Sequence, residues 1–451
     1  MQTDMTKGRP LLIILKFTLP LLIGNLFQQF YNMVDTIIVG RFVGPDALAA
    51  VGSTGTIMFL VIGFSSGMSS GFTVLISQKY GAKDLKAVRD SVANGIVLAI
   101  ALIIIMTTLS LTNLRTLLRG MRTPEHYFED AYAYISVICM GIVVSVFYNY
   151  FSACLRAVGN SRAPLVFLVL SALMNIALDL LFIVKFHMGT SGAAWATNVS
   201  QFVSVVLCII YIYKAAPILA PKGEDWKFNR QFARHQINVG LPMALQFGIT
   251  ASGTVIMQTS INTFGPTAVA AVTAGGKIQN LITQGMLSMG QTMAAYCGQN
   301  YGKNDLERVK IGVRDAILVD IVYSILCTVI IVAFLPYFLP IFFKAGTDIA
   351  PMLPYSRIHL YQCAACYFPL SLIFVFRNAM QGCGYSMLPM MGGVVEFFAR
   401  LVAAVLAIRL EFFNLAVGCD PLAWIAAGIF TGIAWIYVRK DIEKKGFRRV
   451  I

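Results

Sequence analysis

The stretch Gln28–Gly40, QQFYNMVDTIIVG, sets an aspartate, Asp35, inside an apolar run that extends from Leu11 almost to Val43. A run so long and so apolar is a membrane span rather than a surface helix. An ionisable side chain at membrane depth costs at least about 2.5 kcal/mol, so Asp35 needs either a partner or a task. The whole chain has the same character: 57% of its 451 residues are hydrophobic and 12% are charged, against about half and about one quarter in a soluble domain.

A net charge of +14 raises the question of a nucleic-acid partner, but none is expected, because the basic residues lie in short connections between apolar runs and form no soluble basic patch. The nine cysteines are scattered, and the close pair Cys363 and Cys366 has no second pair or nearby histidines. They read as small apolar fillers, without a zinc site or a disulfide framework. Lys7 and Arg9 precede the first run, which contains Pro20 and exceeds the core of a signal peptide. It is expected to be an uncleaved first span.

Breaks at Gly, Pro and charge clusters divide the chain into apolar runs near 11–42, 47–77, 90–111, 129–153, 163–186 and 191–213. A second set follows near 233–263, 267–297, 311–339, 352–379, 386–409 and 415–438. The expected fold is an all-α membrane protein of twelve transmembrane helices in two six-helix bundles. Lys214 to Arg234, with APILAPKGEDWKFNR, has the composition of a linker, which gives lobes of residues 1–220 and 221–451. Basic residues gather at the amino terminus, in even-numbered loops such as Lys79, Lys83, Lys86 and Arg89, and in a tail from Arg439 through Arg448 and Arg449. Such asymmetry places both termini in the cytoplasm of a plasma-membrane protein. The tail also suits membrane lipids, although topology alone accounts for it.

The halves resemble each other. GPDALAAVGSTG (44–55) matches GPTAVAAVTAGG (265–276), and QKYGAKDLKAV (78–88) matches QNYGKNDLERV (299–309) at the same offset. Gly159, Ser161 and Pro164 likewise correspond to Gly384, Ser386 and Pro389. Six spans per half make the repeat parallel, with a pseudo-two-fold axis along the membrane normal. Two bundles so related suit alternating access better than a static helix array.

A second intramembrane acid occurs in SALMNIALDLLFIV, where Asn175 and Asp179 are four apart and share a helix face. Asp179 precedes a turn near Met188 by about as many residues as Thr197 follows it, and Asp35 precedes the turn at Gly44 and Pro45 by a similar number. At about 1.5 Å per residue the three helices bring these side chains to one depth. Two carboxylates, an amide oxygen and a hydroxyl suit a small hard cation, or a proton shared between the acids. The competing view is that each acid accepts hydrogen bonds from Tyr31, Asn32 or Asn175 as packing glue, which two acids at matched depth disfavour. In the second half Met257, Arg400 and Ala404 stand at the positions of Asp35, Asn175 and Asp179, so coupling is expected in the first lobe. Glu396 and Arg400 form an i,i+4 pair able to neutralise itself, with substrate contact as the alternative. Lys277 and Asp320 are further mid-span charges without an assigned partner.

In QQFYNMVDTIIVG, LRAVGNSRAPL, NIALDLLFI, GAAWAT and GVVEFFAR the chain resembles the multidrug and toxic compound extrusion (MATE) family, most closely its DinF-like branch. The resemblance implies a twelve-helix, two-lobed antiporter that expels organic cations and related amphipathic compounds in exchange for Na+ or H+, with no cofactor. It also implies that Asp35, Asn175, Asp179 and Thr197 form the cation site, whereas the second half lacks the acids for another such site.

Phe27, Tyr31, Asn32, Tyr148 and Met286, with Glu396 and Arg400, are candidates for a cavity that accepts small-molecule substrates. A monomer is expected. One rival is a flippase for lipid-linked saccharides, which would need cationic residues facing its cavity where this first lobe offers acids. A membrane-embedded enzyme is another, since paired aspartates also perform acid–base chemistry. No HExxH or Ser/His arrangement accompanies the four histidines, so no enzymatic activity is expected.

Overall fold

A computed structural model describes residues 3–121, 123–343 and 348–446. Arg448 and Arg449 of the basic tail lie outside them. The described chain is helical, with α1 (Pro10–Phe42), α2 (Pro45–Ser53), α3 (Gly55–Gly81), α4 (Leu85–Gly120), α5 (Phe128–Met140), α6 (Ile142–Ala157), α7 (Arg162–Asp179) and α8 (Gly189–Ala215) in the first half. Then come α9 (Arg230–Asn262), α10 (Pro266–Gly302), α11 (Leu306–Phe338), α12 (Leu353–Ala365), α13 (Tyr367–Gly382), α14 (Met387–Leu410), α15 (Phe413–Val417) and α16 (Cys419–Lys445).

Nine spans among the described residues are long and apolar enough to cross a membrane, and two pairs, α5 with α6 and α12 with α13, are spans bent by 45° and 48°. The twelfth expected span is α10. It runs 37 residues but is rich in Gly, Gln and Thr, so its low hydropathy reflects a helix enclosed by protein rather than by lipid. By contrast α11 turns Val322, Ile325 and Val329 outward, each more than half exposed.

Contacts group the helices into two units. Leu19–Phe247 forms one, together with residues 3 and 4; Met5–Thr18 and the chain from Gly248 onward form the other. Within the first unit the ridge Gly63, Gly67 and Gly71 of α3 lies against Phe247, Ala244 and Gly240 of α9. A Cβ on Gly67 would stand 2.7 Å from the Ala244 Cα, and one on Gly71 would overlap the Gly240 backbone. Without side chains the two backbones approach closely, which is how small residues hold membrane helices together. At the α5–α6 bend, the Asn198 amide donates to the Val137 carbonyl at 2.7 Å, and Gly141 leaves it room. The bend therefore keeps its backbone acceptor satisfied in an apolar setting.

The linker is anchored to the first unit. Asp225 accepts from the Lys222 backbone N–H and from Arg89 Nε, both at 2.8 Å, while Asn94 Oδ1 accepts the Asn229 N–H at 2.9 Å. Within the second unit the segment around Met5 is held by Arg308, whose Nη1 donates to the Gly8 carbonyl at 2.9 Å. Gln299 Oε1 accepts the Met5 N–H at 3.0 Å.

The internal repeat reaches backbone detail. Gly44 and Gly265, Lys83 and Asn304, and Gly159 and Gly384 all have positive φ, the last two pairs with matching angles of 63° and 85°. Asp84 caps α4 by accepting the Ala87 N–H at 3.1 Å, and Asp305 caps α11 by accepting the Arg308 N–H at 3.0 Å.

Candidate ion-binding site

Asp35 sits on the last third of α1, and Asp179 is the final residue of α7. After Asp179 the helix widens over Leu180–Lys185, with Phe186 N–H reaching the Leu181 carbonyl at 3.0 Å and Met188 N–H the Phe182 carbonyl at 3.0 Å. Such wide turns recur at functional sites because they re-aim side chains and loosen the ladder locally. The chain then reverses through His187 and Gly189, both at positive φ, and α8 carries Thr197 back to the level of Asn175.

Asn175 Nδ2 approaches Thr197 Oγ1 at 3.5 Å, and the Thr197 hydroxyl donates to the Ala193 carbonyl at 3.1 Å. The Asp35 and Asp179 carboxyls face each other. Asp179 is fully buried and Asn175 nearly so, whereas Asp35 is half-buried. Oδ1 of Asp35, both carboxyl oxygens of Asp179 and Oδ1 of Asn175 are buried without a hydrogen-bond partner. Four buried oxygen acceptors thus lack a donor among the described residues. A proton shared by the acids, or a small hard cation, would satisfy them.

Tyr31, one turn before Asp35, bonds Gln28 and lies within electrostatic reach of both acids. Tyr134 of α5, 3% exposed, lies within electrostatic range of the same pair while its hydroxyl donates to Met58 Sδ at 3.6 Å; it has no counterpart in the sequence expectation, and nothing in its spacing marks it. Tyr148 is half-buried and within reach of Tyr31. Phe27 and Asn32 are exposed. Met286 is fully buried in the core of the second unit.

Glu396 and Arg400 are both buried, but the pair is a triad. Arg400 Nε donates to Asp420 Oδ1 at 2.7 Å, and Nη2 lies 3.3 Å from Glu396 Oε2. Asp420 opens α16; its separation from Arg400 follows no helical period, so sequence spacing conceals it. Lys277 is exposed. Among the described residues no three His, Cys, Asp or Glu side chains gather as a metal site.

A family model described as MatE matches residues 20–181 and 242–406. The chain is 28% identical over 308 residues to the probable multidrug resistance protein YpnP of Bacillus subtilis, 68% of each chain. It is 27% identical to the probable multidrug resistance protein NorM of Thermotoga maritima, covering 92% of this chain and 89% of that one. A solved outward-facing multidrug resistance MATE family transporter of the MOP superfamily superposes with a TM-score of 0.89 at 21% identity, over 99% of both chains. The chain, an all-helical multi-pass membrane protein with a duplicated set of spans, therefore belongs to the MatE family of multidrug and toxic compound extrusion transporters.

Proposed function

We propose that this chain is a secondary active exporter of the plasma membrane, with both termini cytoplasmic, which expels organic cations and related amphipathic compounds in exchange for Na+ or H+ by alternating access. The observation that carries the proposal is the facing pair Asp35 and Asp179, whose buried oxygens lack donors. A lobe of residues 1–220 then holds the coupling site and a lobe of residues 221–451 lacks it. The relatives named as probable multidrug resistance proteins support the substrate class.

Coupling follows from competition. With the acids unoccupied, their charge favours a cationic substrate; an entering ion neutralises it and favours release. One monovalent ion moving down a 100 mV potential contributes about 2.3 kcal/mol, enough for roughly fortyfold accumulation at tight one-to-one coupling. No cofactor and no covalent step are required, and a monomer suffices.

The test is efflux of a fluorescent organic cation from proteoliposomes, with sodium and pH gradients varied independently. Efflux is expected to follow one of the two gradients and to fall at least about tenfold, or 1.4 kcal/mol, in Asp35→Asn and in Asp179→Asn. Full coupled transport in both variants would overturn the proposal.

A further inference from the structure

Asp320 lies in the middle of α11, within the second unit, and is 2% exposed. Its Oδ2 is buried without a hydrogen-bond partner, and no ion pair reaches it among the described residues. One turn later the Ser324 hydroxyl is also buried and unpartnered. Spacing of four places both oxygens on one strip of the helix.

The neighbouring helix fixes what they face. Tyr296 of α10 packs over Gly312, and Tyr323 packs over Gly285 while donating to the Ile282 carbonyl at 2.7 Å. In this antiparallel register Asp320 stands level with Ser288, and Ser324 with Gln284. The Ser288 hydroxyl already donates to the Gln284 carbonyl at 2.6 Å, and the Gln284 amide to the Asn280 carbonyl at 3.1 Å. Each of these two groups thus already spends a donor on a backbone carbonyl of its own helix. At the offset of 221 that relates the halves, Asp320 corresponds to the fully buried Ala99, so this acid belongs to one half alone.

Among the described residues no packed element brings a compensating charge, and Arg357 of α12 is exposed. On α11 the nearest titratable group is the neutral phenol of Tyr323. On α10 Lys277 is exposed, and the Tyr296 hydroxyl donates to the Arg308 carbonyl. On α12 His359 contacts Cys363. On α13 the Tyr367 hydroxyl donates to Gln279 Oε1, and Arg377 lies over the Phe374 ring at 4.9 Å. An ionised Asp320 would thus be a lone charge in a low-dielectric interior, a cost of several kcal/mol. A hard metal cation needs about six oxygens, and a carboxyl with one hydroxyl falls well short.

We infer that Asp320, with Ser324 beside it, is a proton-binding site of the second unit, separate from the Asp35–Asp179 pair. The proton is taken from water and returned to it, and the Ser324 hydroxyl, unpartnered one turn away on the same strip of the helix, can turn to the carboxyl in either state.

Infrared difference spectra of the full chain in liposomes, recorded between acid and alkaline pH, test this without requiring transport. The expected result is a carboxylic-acid carbonyl band that vanishes on the alkaline side, is missing in Asp320→Asn, shifts in Ser324→Ala and persists in Asp35→Asn. A band unaltered by Asp320→Asn, or an Asp320 band that ignores pH throughout the folded range, would overturn the assignment. If Asp320→Asn does not fold, Ser324→Ala decides: an unshifted band overturns the site. Loss of gradient-driven efflux in the aspartate variants of the first unit bears only on the exchange proposal, so the two fail separately.

Discussion

Asp179 and Asp35 face each other unequally: the first is fully buried where α7 gives way to its wide turn, and the second is half-buried on α1. On the proposed exchange, an ion arriving at the pair would meet Asp35 first and be held against Asp179. Ligand binding to a folded site raises stability by about 2.7 kcal/mol at a hundredfold excess over Kd. The coupling ion is accordingly expected to raise the melting temperature of the purified protein in detergent. Asp179→Asn should abolish that rise, because an amide supplies its own donor to Asp35 and removes one negative charge. A melting curve titrated with sodium at fixed pH, and with pH at fixed sodium, checks the expectation and identifies the ion.

The close approach of α3 and α9 makes Gly67 intolerant. A Cβ there meets the Ala244 backbone, which cannot swing aside as a side-chain tip would. Gly67→Leu should cost more than the 1–3 kcal/mol typical of overpacking, about 3 kcal/mol or more, seen as a loss of monodisperse protein on size-exclusion chromatography. Gly52 in α2 has open space around its Cα, and Gly52→Ala should be neutral or stabilising by up to about 1 kcal/mol.

The triad in the second unit is expected to respond asymmetrically. Arg400→Met leaves the buried Glu396 and the half-buried Asp420 without the Arg400 guanidinium, and removing one partner of a buried pair costs about 3–5 kcal/mol. Glu396→Gln keeps the 2.7 Å bond from Arg400 to Asp420 and should cost under about 1.5 kcal/mol. Thermal melts of the two variants in one detergent give the comparison directly.

The linker contact carries a pH dependence. Burial opposes the charge on Asp225, but the Lys222 N–H and the Arg89 guanidinium outweigh it and hold the carboxyl below its ordinary value. With a depressed folded-state value, the contact is at full strength above the unfolded carboxylate value of about 3.9. It weakens only as pH falls through the lower, folded-state one. Protease cleavage after Lys222 and Lys227 should stay slow from pH 5 to pH 8 in the parent chain, because a carboxyl held below its ordinary value stays ionised throughout that range. In Asp225→Asn it should be faster throughout that range.

The helical class, the number of spans and the repeat were legible because each rests on local pattern: apolar run length, turn residues and matched segments such as QKYGAKDLKAV and QNYGKNDLERV. Depth counted from turns was enough to group Asp35, Asn175, Asp179 and Thr197, since helical rise is constant. Partnerships across helices were not legible. Asp420 reaches Arg400, and Tyr134 comes within electrostatic range of the acids, through packing that no periodicity encodes. The burial of Met286 was hidden for the same reason: an apolar residue on a span reads alike whether it faces lipid, cavity or core. The low hydropathy of α10 became meaningful only once its buried surroundings were visible.

The matched left-handed residues at corresponding corners of the two halves show which features of an ancestral hairpin array survive duplication. Corners are held by torsional geometry that few residues can adopt, so they drift little. Walls are free to exchange an acid for a methyl group. Aligning one half of such a chain on the other is therefore safest when anchored at the reversals, and differences along the intervening faces then mark where the two copies have taken up separate work.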